Sequence, residues 1–209
     1  MCEEMTGGKV FGMKMAGKKV ILRAAGAQDG RLLQELIHDP ETRKVTGGYR
    51  SAEPFIPRTD WFGSGADASG GLRRIIADQT EEETGLGILL LSHVDADRGA
   101  AEIYIKLIRE VRGRGYGRDA VEVLLFWAFQ KLGLGHVCAN ILEHNTASLR
   151  LFEACGFRRE HTQKTRADRE GYCRTVYGYE LDRERWRTLH GICPDRRRGN
   201  YGKNDEKSV

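Results

Sequence analysis

Arg112-Gly113-Arg114-Gly115-Tyr116-Gly117 lies between an apolar run, Ile103 to Ile108, and a second apolar run, Val121 to Leu132. The first run alternates in the manner of a strand, and the second repeats Val121, Leu124, Leu125, Ala128 and Leu132 at helical spacing. A strand that feeds a glycine-rich turn opening a helix is an anion-binding device. Backbone without side chains approaches the ligand closely, and the first N–H groups of the helix have no internal acceptor. The stretch therefore predicts a phosphorylated ligand bound by an α/β fold.

Two well-known phosphate loops do not fit. A P-loop requires Lys followed by Ser or Thr after its last glycine, whereas Gly117 is followed by Arg118 and Asp119. A dinucleotide-binding turn reads G-x-G-x-x-G near the start of a βαβ unit, whereas this turn reads G-x-G-x-G and lies past mid-chain. A flexible arginine-glycine loop or an RNA contact is the remaining plain reading, and the flanking periodicity weighs against it. An RNA-binding chain would show steep salt dependence of its nucleic-acid binding.

Outward from the turn, Ala101 to Ile108 places Ile103, Ile105 and Leu107 on one face and Glu102, Tyr104 and Lys106 on the other. Upstream, Val20-Ile21-Leu22 reads as a strand, Asp29 to Ile37 as a short helix ended by Pro40, and Leu72 to Ala77 and Leu86 to Val94 as a hairpin. Its turn, Thr80 to Gly85, carries three glutamates and reads as a solvated tip; Asp95 to Gly99 makes the next turn. Ser51 to Gly71 reads as a mobile loop, with Trp61 and Phe62 either lining a site or anchoring a short helix. Downstream, Gly133 stops the helix, and Val137 to Leu142 is a strand entered by crossover, hence parallel to the one before it. The sum is a mixed sheet of six or seven strands, antiparallel except near its centre, with flanking helices.

Whole-chain properties narrow the class. The chain has 209 residues, 40% hydrophobic and 31% charged, enough for one domain with a full core. Residues 1–16 read as a lead-in, 17–190 as the domain, and 191–209 as a basic tail whose Arg196-Arg197-Arg198 reads as a solvated end. No run reaches the ~18 apolar residues of a membrane span, and Met1-Cys2-Glu3-Glu4 lacks the basic and apolar regions of a signal peptide. This predicts a cytoplasmic protein. Five cysteines (Cys2, Cys138, Cys155, Cys173, Cys193) without C-x-x-C spacing read as reduced thiols and predict no metal site. Net charge is +4, and the excess sits in residues 101–209, with 21 Lys/Arg against 15 Asp/Glu, the half that holds the glycine turn.

The motif R-x-x-G-x-G at Arg112 to Gly117 resembles the acetyl-CoA diphosphate loop of the GNAT N-acetyltransferases. Asn145-Thr146-Ala147-Ser148 with its helix and Gly156-Phe157 resembles the family's next block, and Gly171 to Leu181 resembles the closing strand of the polyamine and ribosomal-protein acetyltransferase branch. The resemblance covers roughly residues 17–188. It implies that the parallel pair splays open and that the pantetheine arm of acetyl-CoA lies in the opening.

The resemblance also implies roles. Main-chain groups of Leu107, Ile108 and Arg109 would pair with the pantetheine amides; N–H groups of Arg112, Gly113, Arg114, Gly115, Tyr116, Gly117 and Arg118 would hold the diphosphate. Asn145 would bond the arm near the splay, and its other reading, a helix N-cap, is compatible with that. Glu102 matches the glutamate that deprotonates the amine in related enzymes, its alternative being a surface carboxylate paired with an arginine. Glu143 and His144 are weaker candidates that read equally as turn residues. Phe152 departs from the pattern, since many relatives carry there a tyrosine whose hydroxyl protonates the departing sulfur. Cys155 or Ser148 substitutes for it, or the thiolate takes its proton from water, or the chain has weak or no transferase activity. The implied acceptor is a primary amine of a small molecule or a protein N-terminus, with a non-catalytic acyl-CoA-binding module as the alternative. Dimers are common among similar proteins.

Overall fold

The computed structural model describes residues 14–40, 71–82, 84–95, 98–165 and 173–192. Its eight strands are β1 (Met15–Ala16), β2 (Val20–Arg23), β3 (Leu72–Asp78), β4 (Gly85–Asp95), β5 (Ala100–Leu107), β6 (His136–Leu142), β7 (Arg158–Lys164) and β8 (Thr175–Asp182). The helices are α1 (Gly30–His38), α2 (Tyr116–Gln130), α3 (Thr146–Ala154) and α4 (Arg183–Leu189). One sheet runs β1-β2-β3-β4-β5-β6-β8-β7, and every neighbouring pair is antiparallel except β5 and β6.

The core is double because the central strands bury both faces. Along β4, Leu86, Leu89 and Leu91 join a large cluster with Ala120, Val121, Leu124, Leu125 and Ala128 of α2, while Ile88 packs with Ile75, Ala77 and Leu32, Leu33 and Leu36 of α1. A strand buried on two faces reads as a continuous apolar run, which is what Leu86 to Leu91 is. Arg23 on β2 is tied to Asp29 just ahead of α1 by a forked pair, Nη1 to Oδ2 at 2.7 Å and Nη2 to Oδ1 at 2.8 Å, and the Gly26 N–H also donates to Asp29. This buried pair fixes where α1 crosses the sheet.

The sheet is larger than the six or seven strands expected. Met15–Ala16, at the end of the expected lead-in, pairs with Leu22 and Ile21, and Met15 is buried. β7 is exposed at every position, so it carries no apolar alternation to mark it. It is an edge strand held by its ladder to β8. α2 begins at Tyr116, a turn before its apolar run, because Gly115 caps it at φ 88°. Gly133 does end it, with φ 70°. Trp61, Phe62, Tyr172, Cys2, Cys193 and the Arg196–Arg198 run lie outside the described residues. Among the described residues no helix is long and apolar enough to cross a membrane.

Candidate active site

The parallel pairing of β5 with β6 is short: Ala100 with His136, Ala101 with Val137, and Glu102 with Cys138. Beyond that point β5 stays on β4 as far as Leu107, and β6 stays on β8 as far as Leu142. The two strands diverge after Glu102, leaving a wedge in the sheet. The Ile108 N–H bonds to the Leu86 carbonyl of β4 at 2.9 Å. Since peptide groups alternate along a strand, those of Ile103, Ile105 and Leu107 point into the wedge. They form a strand edge that an amide-bearing ligand can extend.

Glu102 stands at the apex. Its carboxylate accepts from Asn140 Nδ2 of β6 at 2.8 Å, a bond that crosses the gap where the strands begin to diverge, and its other oxygen lies 3.4 Å from His93 Nδ1. Its side chain is only 12% exposed, so it is not a free surface carboxylate, and its partners are an amide and an imidazole rather than an arginine. Cys138 is its register partner, and burial, with the charges of Glu102 and Glu180, pushes that thiol up to about 11.

At the mouth of the wedge lies the glycine turn. Gly113 and Gly115 hold φ of 74° and 88°, the region that costs a side chain about 1–2 kcal/mol, and a methyl group added at Gly113 would meet nothing within 4 Å. The Asp119 N–H closes on the Gly115 carbonyl at 3.1 Å, so the amides ahead of it belong to the open start of α2. Gly117 serves packing instead: a methyl there would come within 3.2 Å of Leu107 Cδ1. The turn thus leaves backbone amides open at the start of α2, and its side is held by two remote residues. Asp119 accepts from the backbone N–H of Lys18, Lys19 and Val20 at 3.1, 2.7 and 3.0 Å, which brings Lys19 Nζ to the Arg114 carbonyl at 2.9 Å. The Tyr116 hydroxyl donates to Asp78 Oδ2 at 3.1 Å, and that bond to a carboxylate holds the phenol above its ordinary pKa.

Arg112 takes a different place from the other loop residues. Its Nε and Nη2 donate to the Leu107 carbonyl at 3.0 and 2.9 Å, and Nη2 reaches Asp39 at the end of α1 at 2.5 Å. The Leu107 carbonyl, expected to pair with the ligand's arm, is thus already satisfied by the Arg112 guanidinium. Arg109, Arg114 and Arg118 are exposed.

Asn145 caps α3, its Oδ1 accepting from the Ser148 N–H at 3.2 Å. Glu143 and His144 lie exposed in the preceding turn. Phe152 is 3% exposed and meets Phe157 edge-on at 5.0 Å between centroids. Cys155 is equally buried, and burial, with a smaller contribution from Glu122, pushes its thiol up to about 12. A thiol that holds its proton so tightly is a poor acid. Among the described residues no group of three or more His, Cys, Asp or Glu is placed to hold a metal ion.

His93, Asn140, Lys19 and Asp119 are the site neighbours that the linear sequence did not reveal. Asn140 left a trace, being a polar residue in step with Cys138 on an otherwise apolar strand.

A shallow wedge between parallel strands with a glycine cradle at its mouth is the architecture of an acyl-CoA-dependent acetyltransferase. The family model described as "Acetyltransferase (GNAT) domain" matches residues 19–158, and the chain belongs to that family. It is an N-acetyltransferase, and the family uses acetyl-CoA. It is 28% identical over 171 residues to an uncharacterized N-acetyltransferase p20 of Bacillus licheniformis, covering 78% of this chain and 93% of the relative. It is 32% identical over 136 residues to an N-acetyltransferase 9-like protein of Caenorhabditis briggsae, covering 59% of this chain and 66% of the relative. In fold it is similar to the spermidine N-acetyltransferase of Vibrio cholerae solved with CoA and spermine, at TM-score 0.67 and 19% identity, covering 80% of this chain and 97% of the other.

Proposed function

We propose that this chain moves the acetyl group of acetyl-CoA to a primary amine, of a small molecule or a protein N-terminus, by direct attack of the amine on the thioester, with Glu102 as the base. The observation that carries the reading is the position of the Glu102 carboxylate at the apex of the wedge, oriented by Asn140 at 2.8 Å. An alkylamine with pKa near ~10.4 arrives protonated at neutral pH and must lose a proton before it can attack. A carboxylate at the end of the strand edge is within reach of an amine aimed at a thioester lying in the wedge.

In this reading acetyl-CoA supplies an activated acyl group, and the chain supplies the geometry. The wedge-facing peptide groups of Leu107, with main-chain groups of Ile108 and Arg109 beyond the end of β5, align the pantetheine arm, with Phe152 behind the arm and Asn145 at its side. The amides from Arg112 to Arg118 take the diphosphate, assisted by the guanidinium groups. The departing thiolate takes its proton from water, because Phe152 has none to give and Cys155 holds its own.

The test is Glu102→Gln. Turnover at pH 7 falls by ~10²-fold while the rise in melting temperature on adding CoA is kept. Equal rates for variant and parent from about pH 6 to pH 9 remove Glu102 as the base.

A further inference from the structure

We propose that His93 is a positioning and relay residue for the transfer: it takes from Glu102 the proton that Glu102 has removed from the amine, and releases it to solvent. The inference rests on the reading of Glu102 as the base.

The ladder between β4 and β5 contains an unequal residue count. Ser92 pairs with Glu102 and Asp95 pairs with Ala100, so His93 and Val94 on β4 face the single residue Ala101 on β5. This is a β-bulge. Val94 takes the inward position and packs against the large core to which Ala101 belongs. His93 is the extra residue, and it is the one described non-glycine residue with positive φ, at 50°. Strict alternation would turn the residue after Ser92 toward that core. The bulge turns it back to the face of Ser92 and Glu102.

The outcome is specific. His93 Nδ1 lies 3.4 Å from Glu102 Oε2 and 3.3 Å from Ser92 Oγ, and the imidazole is 77% exposed while Glu102 is 12% exposed. The largely covered carboxylate thus has beside it an imidazole that reaches water, a group able to accept a proton at one ring nitrogen and give one up at the other. Among the described residues, the groups near the pair include Asn140 and the Cys138 thiol on β6, Glu180 of β8 opposite Cys138, and Asp95 and Arg98 in the following turn, which pair with each other at 3.6 Å. A separation of 3.4 Å is longer than a good hydrogen bond, and an exposed ring closes it by rotation.

The protons balance. Glu102 carboxylate takes H⁺ from the alkylammonium, giving a neutral amine and a carboxylic acid. The acid passes H⁺ to the Nε2–H tautomer of neutral His93 at Nδ1, restoring the carboxylate; the imidazolium releases H⁺ from Nε2 to water, and proton exchange of the exposed ring with water restores the Nε2–H tautomer for the next turnover. No oxidant or further reactant is needed.

His93→Gly tests this cleanly, because glycine suits the backbone at φ 50° and preserves the fold. His93→Asn, which tolerates the same conformation but does not titrate, serves as the second variant. Expected is a fall in kcat of about 10-fold in both, with the KM for acetyl-CoA unchanged, and recovery of most of the loss as free imidazole is added to the glycine variant. Unchanged kcat, or a loss that imidazole does not repair, overturns the relay. Glu102→Gln separates the two levels: if that variant keeps full activity the base assignment fails and the relay with it, whereas an inactive Glu102→Gln with a fully active His93→Gly removes the relay alone.

Discussion

The guanidinium of Arg112, in the glycine turn, is bound to the carboxylate of Asp39, at the end of α1, at 2.5 Å across 73 residues of sequence. The same guanidinium covers the Leu107 carbonyl. A ligand diphosphate and a pantetheine amide would compete for these two groups with partners the protein already provides.

Asp39→Asn should therefore tighten CoA binding about 3-fold, roughly 0.7 kcal/mol, by releasing Arg112 and removing a negative charge from the cradle's neighbourhood. Calorimetric titration with CoA measures it. Weaker binding would mean instead that Asp39 orients Arg112 for the ligand.

Gly115→Val should abolish CoA binding. The residue holds φ 88° as the cap of α2, a conformation that a β-branched residue enters only with strain, and the side chain would stand where the diphosphate approaches. The folded protein should lose about 2 kcal/mol or more of stability as well. Calorimetry showing parent affinity in a folded variant would contradict the cradle.

Cys155, which is buried, and Cys138, which is partly so, predict an alkaline weakness. Cys155 is pushed up to about 12 and Cys138 to about 11 from an ordinary value of 9.0, so the unfolded chain ionises them first. Their stabilising effect is full below pH 9 and is lost as pH rises toward 12. Chemical denaturation of the parent should show stability falling above pH 9, and Cys155→Ala should flatten that fall. In the native state at pH 8 an alkylating reagent should label exposed Cys173 and spare Cys155. Rapid labelling of Cys155 would show that its surroundings open.

Legibility followed the range of the forces. The turn, the strand before it and the helix after it were readable because glycine's freedom at Gly113 and Gly115 and the alternation from Glu102 to Leu107 are local properties. Glu102 was assignable to a face by the same alternation. β7 was not legible, since a strand exposed at every position writes no pattern, and its place comes only from its ladder with β8. The Arg112–Asp39 pair was not legible either, because it joins elements that touch only after the sheet has formed.

By itself, the sequence determined a mixed α/β sheet, a central crossover and a glycine-rich turn opening a helix, all of them consequences of residue size, hydrophobic period and glycine's lack of a side chain. Tertiary structure alone decided what surrounds Glu102. Asn140 reaches it because β5 and β6 diverge immediately beyond it, and His93 reaches it because an extra residue in β4 reverses the direction of a side chain. Register between strands is set by how whole faces pack, and a shift of a single residue moves a side chain to the opposite side of the sheet. That is why the glycine turn could be read from the chain and the neighbours of Glu102 could not.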